Sequence, residues 1–154
     1  MNERHYGELT GLNKIEMGKK LGEEKVYQFR RSWDLKPDPL DKKSPYHPIN
    51  IDTYKDISTK EIPDTESLRD TYVRGTKYYD SKIKNNLVNG NILISAHGNS
   101  LRALCKYLFN LDEIQISNLE IPTGNPLLIE IDENQTIKNC KYLDQNRAKD
   151  LVIF

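Results

Sequence analysis

The sequence predicts an α/β protein, because segments with helical periodicity alternate with short apolar runs that have the composition of strands. An apolar run at 91–96 stops at His97 and leads directly into an amphipathic helix. A second apolar run at 127–131 is followed by turn residues at 132–135 and by another strand candidate at 136–143. This last pair is expected to be antiparallel, because so short a turn can only reverse the chain.

Three earlier segments are predicted to be helices. They lie at about 13–20, at 23–33, and from Thr65, as the N-cap, to Asn89-Gly90. The long stretch at 34–63 contains several prolines and is therefore expected to be irregular. Its length fits either a functional loop or a mobile surface excursion.

The turn at His97-Gly98 predicts a phosphate site. Gly98 allows a tight turn, and the helix is expected to begin near Asn99 or Ser100. The first amides of a helix have no intrahelical acceptor and carry the positive end of the helix dipole, so they bind anions beside the imidazole of His97. The alternative is an ordinary strand-to-helix turn with Asn99 or Ser100 as the N-cap.

The N-terminal segment concentrates groups that handle anions. Within a few residues it carries Glu3, Arg4, His5, Tyr6 and Lys14. A carboxylate, cations, an imidazole and a phenol together suit the binding of a charged substrate. A solvated chain end would have a similar composition, so this segment alone leaves both interpretations open.

Several motifs together resemble the cofactor-dependent phosphoglycerate mutases of the histidine phosphatase superfamily. They extend in the expected order from residue 2 to about residue 143 and read NERHYGELTGLNK, FRRSWDLKPDP, PDTESLRDTYVR, SAHGNSLRALCKYL and IPTGNPLLIEID. NERHYG, GLNK, the Arg30-Arg31 pair and HGNSLRA are specific to the mutase branch. A lone His-Gly after a strand would mark only the superfamily.

The resemblance implies a three-layer sandwich with a mostly parallel sheet and helices on both faces. Family members begin with a strand that ends in Arg-His-Gly, whose histidine carries the phosphoryl group. This chain has the histidines His5, His47 and His97, and none of them stands in that motif. We therefore expect residues 1–154 to be the C-terminal two-thirds of a single mutase domain, incomplete at the N-terminus and unstable alone.

The implied reaction interconverts 3-phosphoglycerate and 2-phosphoglycerate in glycolysis and gluconeogenesis, through a phosphohistidine primed by 2,3-bisphosphoglycerate and without a metal. By resemblance, Glu3 is the general acid/base and His97 steadies the phosphoryl group in transit. The residues that match substrate-binding positions, with His5 at most lining the pocket, are Glu3, Arg4, His5, Tyr6, Lys14, Arg30, Arg31, Gly98 and Asn99.

Two alternatives remain at this point. The first is a phosphomonoesterase of the same superfamily, which Lys14 with Arg30-Arg31 disfavours, because extra cations suit a substrate with a second anionic group. The second is a non-catalytic fragment that binds anions, which the missing Arg-His-Gly segment favours. His5 and His47 are otherwise expected to be surface or loop residues.

Composition limits the partners. The net charge is zero, which favours neither nucleic acid nor an anionic membrane, and there is no apolar run of membrane-spanning length. The start MNERHYG has neither the apolar core of a signal peptide nor a transit pattern, so we expect no targeting segment there. The cysteines are separated and suggest neither a disulfide framework nor a metal site. We expect a cytoplasmic protein that binds small phosphoglycerates, and the resemblance implies a homodimer or homotetramer at full length.

Overall fold

The structure, a computed structural model, describes residues 1–148. These residues fall into two compact units. The first unit is Arg4–Thr71, and the second consists of Met1–Glu3 together with the chain from Tyr72 onward. That residues 1–154 belong to one mutase domain stays a prediction, and 149–154 lie outside the described residues.

The first unit contains two of the predicted helices. Helix α1 is Lys14–Leu21 and helix α2 is Glu23–Arg31. The Asn13 side chain caps α1 by accepting a hydrogen bond from the amide of Ile15 at 2.8 Å. Both predictions are confirmed, although α2 ends at Arg31 instead of residue 33. The helices bury Met17, Val26 and Phe29.

The stretch at 34–63 is irregular, as the prolines predict. It contains only short 3₁₀ turns, at Pro48–Asn50 and Asp52–Tyr54. Gly7 packs against this stretch: its φ is +56°, and a Cβ there would lie 2.1 Å from the carbonyl oxygen of Asp38. A larger residue at Gly7 would therefore clash with the backbone of the loop.

Helix α3 is Leu68–Tyr78, and its predicted cap was wrong. The Thr65 hydroxyl donates to the carbonyl oxygen of Pro37 instead. The cap is reciprocal: the Asp70 amide donates to the Ser67 hydroxyl at 3.1 Å, and the Ser67 amide donates to the Asp70 carboxylate at 2.9 Å. Sequence alone could not separate the two hydroxyls, because either is a suitable cap.

Helical turns continue after α3 and end where the sequence predicts. A π-helical turn covers Tyr79–Ile83 and a 3₁₀ segment covers Lys84–Asn89. Gly90 then takes a φ of 133°, which no longer continues a helix.

Two helices follow in the second unit. Helix α4 is Gly98–Phe109, with His97 at its N-cap, so the predicted start near Asn99 or Ser100 was late by one or two residues. The apolar face of α4 is buried through Ala103, Leu104, Cys105 and Phe109. Helix α5 is Glu113–Asn118, which begins with a capping box between Asp112 and Gln115.

The predicted antiparallel pair is confirmed. Strand β1 is Leu127–Ile131 and strand β2 is Ile137–Tyr142, paired so that Ile129 lies opposite Cys140. Asp132 closes the turn, because its carboxylate accepts hydrogen bonds from the amides of Asn134 and Thr136.

The predicted strand at 91–96 is wrong for this structure, since residues 91–97 adopt no regular secondary structure. A strand needs a neighbour for its hydrogen bonds, and the described residues provide none beside this segment. Within 1–148 the sheet therefore has two antiparallel strands, and the rest of the regular structure is helical. Each helix in that range is too short or too polar to cross a membrane.

Candidate active site

Glu3 and Asn99 meet in the second unit. The carboxylate oxygen Oε1 of Glu3 accepts a hydrogen bond of 2.5 Å from the side-chain nitrogen Nδ2 of Asn99. Oε2, the other carboxylate oxygen, accepts no hydrogen bond from the described residues. The Glu3 side chain is half-buried, so one oxygen is held and the carboxylate remains reachable from solvent.

Helix α4 supplies the rest of this site. His97 is exposed at the N-cap with φ −84° and ψ 160°, and its side chain makes no capping hydrogen bond. Gly98 is also exposed, and a Cβ placed on it would meet no atom within 4 Å. The space beside the first residue of α4 is thus open, and a helix N-terminus is where anions bind.

Gly98 is not needed for a tight turn. Its φ lies outside the positive region, where the structure places other glycines. The predicted reason for a glycine at this position was therefore wrong, and open space beside its backbone is what the structure shows instead.

Arg102 holds Asn99 from one helical turn further along α4. Its Nη1 donates to the side-chain oxygen of Asn99 at 2.9 Å, and its Nη2 donates to the carbonyl oxygen of Ile116 in α5. Arg102 is 5% exposed. We call Glu3, Asn99 and Arg102 the Glu3 cluster.

The main chain next to Glu3 is also held in place. The guanidinium of Arg74 donates hydrogen bonds of 3.0 Å to the carbonyl oxygens of both Asn2 and Glu3. The hydroxyl of Ser100 donates to the same Asn2 carbonyl at 2.5 Å. Helices α3 and α4 therefore fix the backbone from which the Glu3 carboxylate projects.

Arg4 has a different environment, within the first unit. It is 2% exposed, and its guanidinium donates to the carbonyl oxygens of Glu66 at 2.8 Å and Phe29 at 2.5 Å. Through these contacts Arg4 holds the backbone at Glu66 and at Phe29 in place. Its predicted role in substrate binding stays a prediction.

The remaining predicted cations in this unit lie at helix ends. Lys14 is exposed at the first residue of α1, and Arg30 and Arg31 close α2, Arg30 exposed and Arg31 half-buried. The ring of Tyr6 lies near two guanidinium groups, with its centroid 5.1 Å from the Cζ of Arg4 and 5.7 Å from that of Arg30. Both are within the range of cation–π attraction.

The two other histidines lie in loops, which is one of the two predicted alternatives, but neither is a fully exposed surface residue. His47 is fully buried, and its Nε2 lies 3.0 Å from the carboxylate of Asp64. The His5 ring stands 5.8 Å from that of His47 and accepts a hydrogen bond at Nδ1 from the Gly7 amide. Burial, and then the neighbouring His47, lower the pKa of His5 below its ordinary value of 6.5.

Cysteine chemistry and metal binding find no support in the described residues. Cys105 is buried on α4, and burial raises the pKa of its thiol to about 12, so it is not a nucleophile at neutral pH. Between residues 1 and 148, no cluster of histidine, cysteine and acidic side chains is arranged to hold a metal ion.

Of the predicted site residues, the structure brings together Glu3 and Asn99 and places His97 and Gly98 at the same helix end. Lys14, His5, Tyr6, Arg4 and the Arg30-Arg31 pair belong to the first unit. Sequence reasoning did not identify Arg74 or Arg102. The spacing from Asn99 to Arg102 is i, i+3 on a helix, which places both side chains on one face and could have revealed the contact.

A family model described as the histidine phosphatase superfamily (branch 1) matches residues 44–140. The matched range contains His97, Gly98 and Asn99 and ends before β2 does.

Curated relatives match over almost the whole chain. A 2,3-bisphosphoglycerate-dependent phosphoglycerate mutase of Pelagibacter ubique is 65% identical over 155 residues, which cover 100% of this chain and 65% of that protein. Proteins of the same name from Hyphomonas neptunium and Hydrogenobaculum sp. are 49% and 48% identical, over 98% and 99% of this chain and 63% and 62% of their own lengths. The chain thus spans less than two thirds of these relatives.

Proposed function

This chain belongs to the histidine phosphatase superfamily, and we propose that it supplies the acid/base and phosphate-binding residues of a phosphoglycerate mutase. The reaction is the interconversion of 3-phosphoglycerate and 2-phosphoglycerate. The similarity to proteins of that name supports the substrate. The observation that carries the proposal is the Glu3 carboxylate bound to Asn99 in the first turn of α4, the helix that follows His97.

Glu3 is suited to move a proton. A carboxylate with one oxygen held and the other available can take a proton from an attacking hydroxyl and return it to the leaving oxygen. In this proposal the proton is carried at Oε2, because Oε1 accepts from Asn99.

The start of α4 is suited to hold a phosphoryl group. Transfer of this group depends on neutralising the charge of its oxygens, which backbone amides and an imidazole provide. Gly98 and Asn99 offer such amides beside the exposed imidazole of His97, and the space around Gly98 is open. These residues fit a phosphorylated ligand. 2,3-Bisphosphoglycerate would supply the phosphoryl group that primes the enzyme.

The cations of the first unit complete the proposal. We propose that Lys14, Arg30 and Arg31, with Arg4, His5 and Tyr6, serve substrate binding, as the resemblance implies. Arginine can grip a carboxylate or phosphate through two parallel hydrogen bonds. A phosphomonoesterase would not need this number of cations.

The sheet architecture, the cellular location and the oligomeric state that the resemblance implies are part of the same proposal. Residues 91–96 would become a parallel strand in a three-layer sandwich with helices on both faces, once a neighbouring strand is present. The protein would act in the cytoplasm, without a metal, as a homodimer or homotetramer.

The first test separates this chain from the whole reaction. We expect the chain alone to show no mutase turnover, because none of its histidines stands in an Arg-His-Gly motif. A chimaera in which this chain replaces the matched stretch of the Pelagibacter ubique protein should interconvert the two phosphoglycerates. Hydrolysis of phosphomonoesters without interconversion would favour the phosphatase. Phosphate on His97 of the chain alone, with mutase activity, would make His97 the nucleophile.

The second test concerns Glu3 in that chimaera. Glu3→Gln keeps an oxygen for Asn99 but cannot shuttle a proton, so kcat should fall by roughly two to four orders of magnitude. Phosphorylation by 2,3-bisphosphoglycerate should suffer less. Glu8→Gln is the matched control, since Glu8 is an exposed carboxylate in the same segment. Small and equal losses in both variants would refute the acid/base role.

A further inference from the structure

Asn99 lies between two groups of opposite hydrogen-bonding character. Arginine only donates hydrogen bonds, whereas an ionised carboxylate only accepts them. The Asn99 side-chain amide has one acceptor group and one donor group. Its oxygen accepts from Arg102, and its nitrogen donates to Glu3. If the amide were flipped, its oxygen would face the Glu3 carboxylate and its NH₂ would face the Arg102 guanidinium. Neither pair could form a hydrogen bond, because the first has two acceptors and the second has two donors.

Arg102 is itself rigidly placed. It is buried, and its second nitrogen is tied to the carbonyl oxygen of Ile116. A planar guanidinium that makes both contacts has its orientation fixed by the fork geometry of its donors. The orientation of Asn99 is therefore set by a group whose own position is fixed from α5.

We propose that Arg102 is a positioning residue for Glu3. It fixes the Asn99 amide, Asn99 holds Oε1, and the carboxylate is thereby oriented so that Oε2 is the oxygen that exchanges the proton with substrate. This inference rests on the proposed function for the proton transfer, but the fixed orientation of Asn99 is a property of the Glu3 cluster itself.

The kinetic test uses the chimaera with Arg102→Met and, as matched control, Lys106→Met. Lys106 is another cation of α4 whose side chain donates to a backbone carbonyl, that of Leu111. Arg102→Met should lower kcat by about 10- to 100-fold with little change in KM, since a small misplacement of a catalytic group has effects of this size. Lys106→Met should keep kcat within about twofold, by the same criterion. Equal losses of kcat in both variants would overturn the proposal.

A double-mutant cycle distinguishes positioning from a structural role. If Arg102 acts through Asn99, then Arg102→Met should cause little further loss of kcat when Asn99 is already alanine. Independent effects that multiply in the double variant would mean that Arg102 acts only through its contact with α5. Arg102→Lys provides a milder variant, because a single ammonium cannot reproduce the fork. Failure of both Arg102 variants to fold would assign this residue to the scaffold and overturn the proposal.

A direct readout does not require turnover. In a ¹⁵N spectrum of the chimaera, the Asn99 side-chain NH₂, identified by its loss in Asn99→Ala, should exchange slowly with solvent. That protection should be lost in Arg102→Met and kept in Lys106→Met. If the chimaera is inactive but this pattern holds, the proposed function fails and the fixed orientation stands. If the chimaera is active and the Asn99 NH₂ exchanges equally slowly with and without Arg102→Met, only the positioning role fails.

Discussion

Two adjoining apolar parts of the second unit differ in their secondary structure and in their burial. Residues 91–97 form no regular structure, and Leu93 among them is 89% exposed. Helix α4 begins at the next residue and is regular through Phe109, with Leu104 only 6% exposed. Both segments are apolar, and both were predicted as regular elements.

The difference follows from where each element finds its hydrogen bonds. A helix pairs its amides with carbonyls four residues earlier in the same segment, whereas a strand takes its partners from elsewhere in the chain. The apolar face of α4 is also buried, whereas the side chain of Leu93 is almost fully exposed. An apolar sequence therefore specifies a strand only together with a neighbour.

Hydrogen exchange should show the largest contrast. We expect the amides of Ile92 to Ser95 to exchange within minutes in the 154-residue chain, and those of Leu104 and Cys105 to exchange at least roughly a thousandfold more slowly. The free energy of local opening, which sets the exchange rate, ranges from near zero to the full free energy of unfolding, about 5–15 kcal/mol. Mass spectrometry or NMR of the whole chain would measure both. Long-lived protection of the amides of Ile92 to Ser95 would contradict the prediction, because this segment would then be as stably hydrogen-bonded as α4.

A matched pair of leucine truncations should show a smaller difference. Leu104→Ala should lower the free energy of unfolding by about 2–5 kcal/mol, because it leaves a cavity in a buried position. Leu93→Ala should change it by no more than about 0.5 kcal/mol, as is usual for an exposed site. Urea denaturation followed by circular dichroism would compare them. A large loss from Leu93→Ala would show that 91–97 is packed in solution.

The smallest effect on the free energy of unfolding is expected at His5. Here the surroundings change the pKa of a polar side chain instead of burying an apolar one. The folded state disfavours protonation, because burial lowers the pKa of His5 and its Nδ1 accepts from the Gly7 amide. Well above pH 6.5 the ring is neutral in both states, so this residue has no effect on the pH dependence. As the pH falls below 6.5, the unfolded state binds the proton first and the free energy of unfolding decreases.

His5→Asn tests that slope. Asparagine offers an oxygen to the Gly7 amide but does not titrate, so the decrease between about pH 7 and pH 5 should become shallower. Thermal unfolding of both proteins across this range would measure it. An identical pH dependence with and without the histidine would show that His5 is protonated equally easily in both states.

Several features could be predicted because their causes are local. The antiparallel pair of β1 and β2 depends on a short turn closed by Asp132, and the helical start after His97 depends on spacing along α4. That Glu3 and Asn99 belong to one site was expected only through the family resemblance, and their hydrogen bond was not predicted. Glu3 and Asn99 are 96 positions apart, and periodicity carries no information over that distance.

The sequence by itself determined helices α1 to α4, the β1–β2 hairpin and the motifs that place the chain in its superfamily, because propensity, capping and turn chemistry act within a few residues. Only the tertiary structure decided which hydroxyl caps α3, that His47 is buried, and that Arg102 orients Asn99 toward Glu3. These outcomes depend on which distant groups share a buried space, and there every donor and acceptor must find a partner.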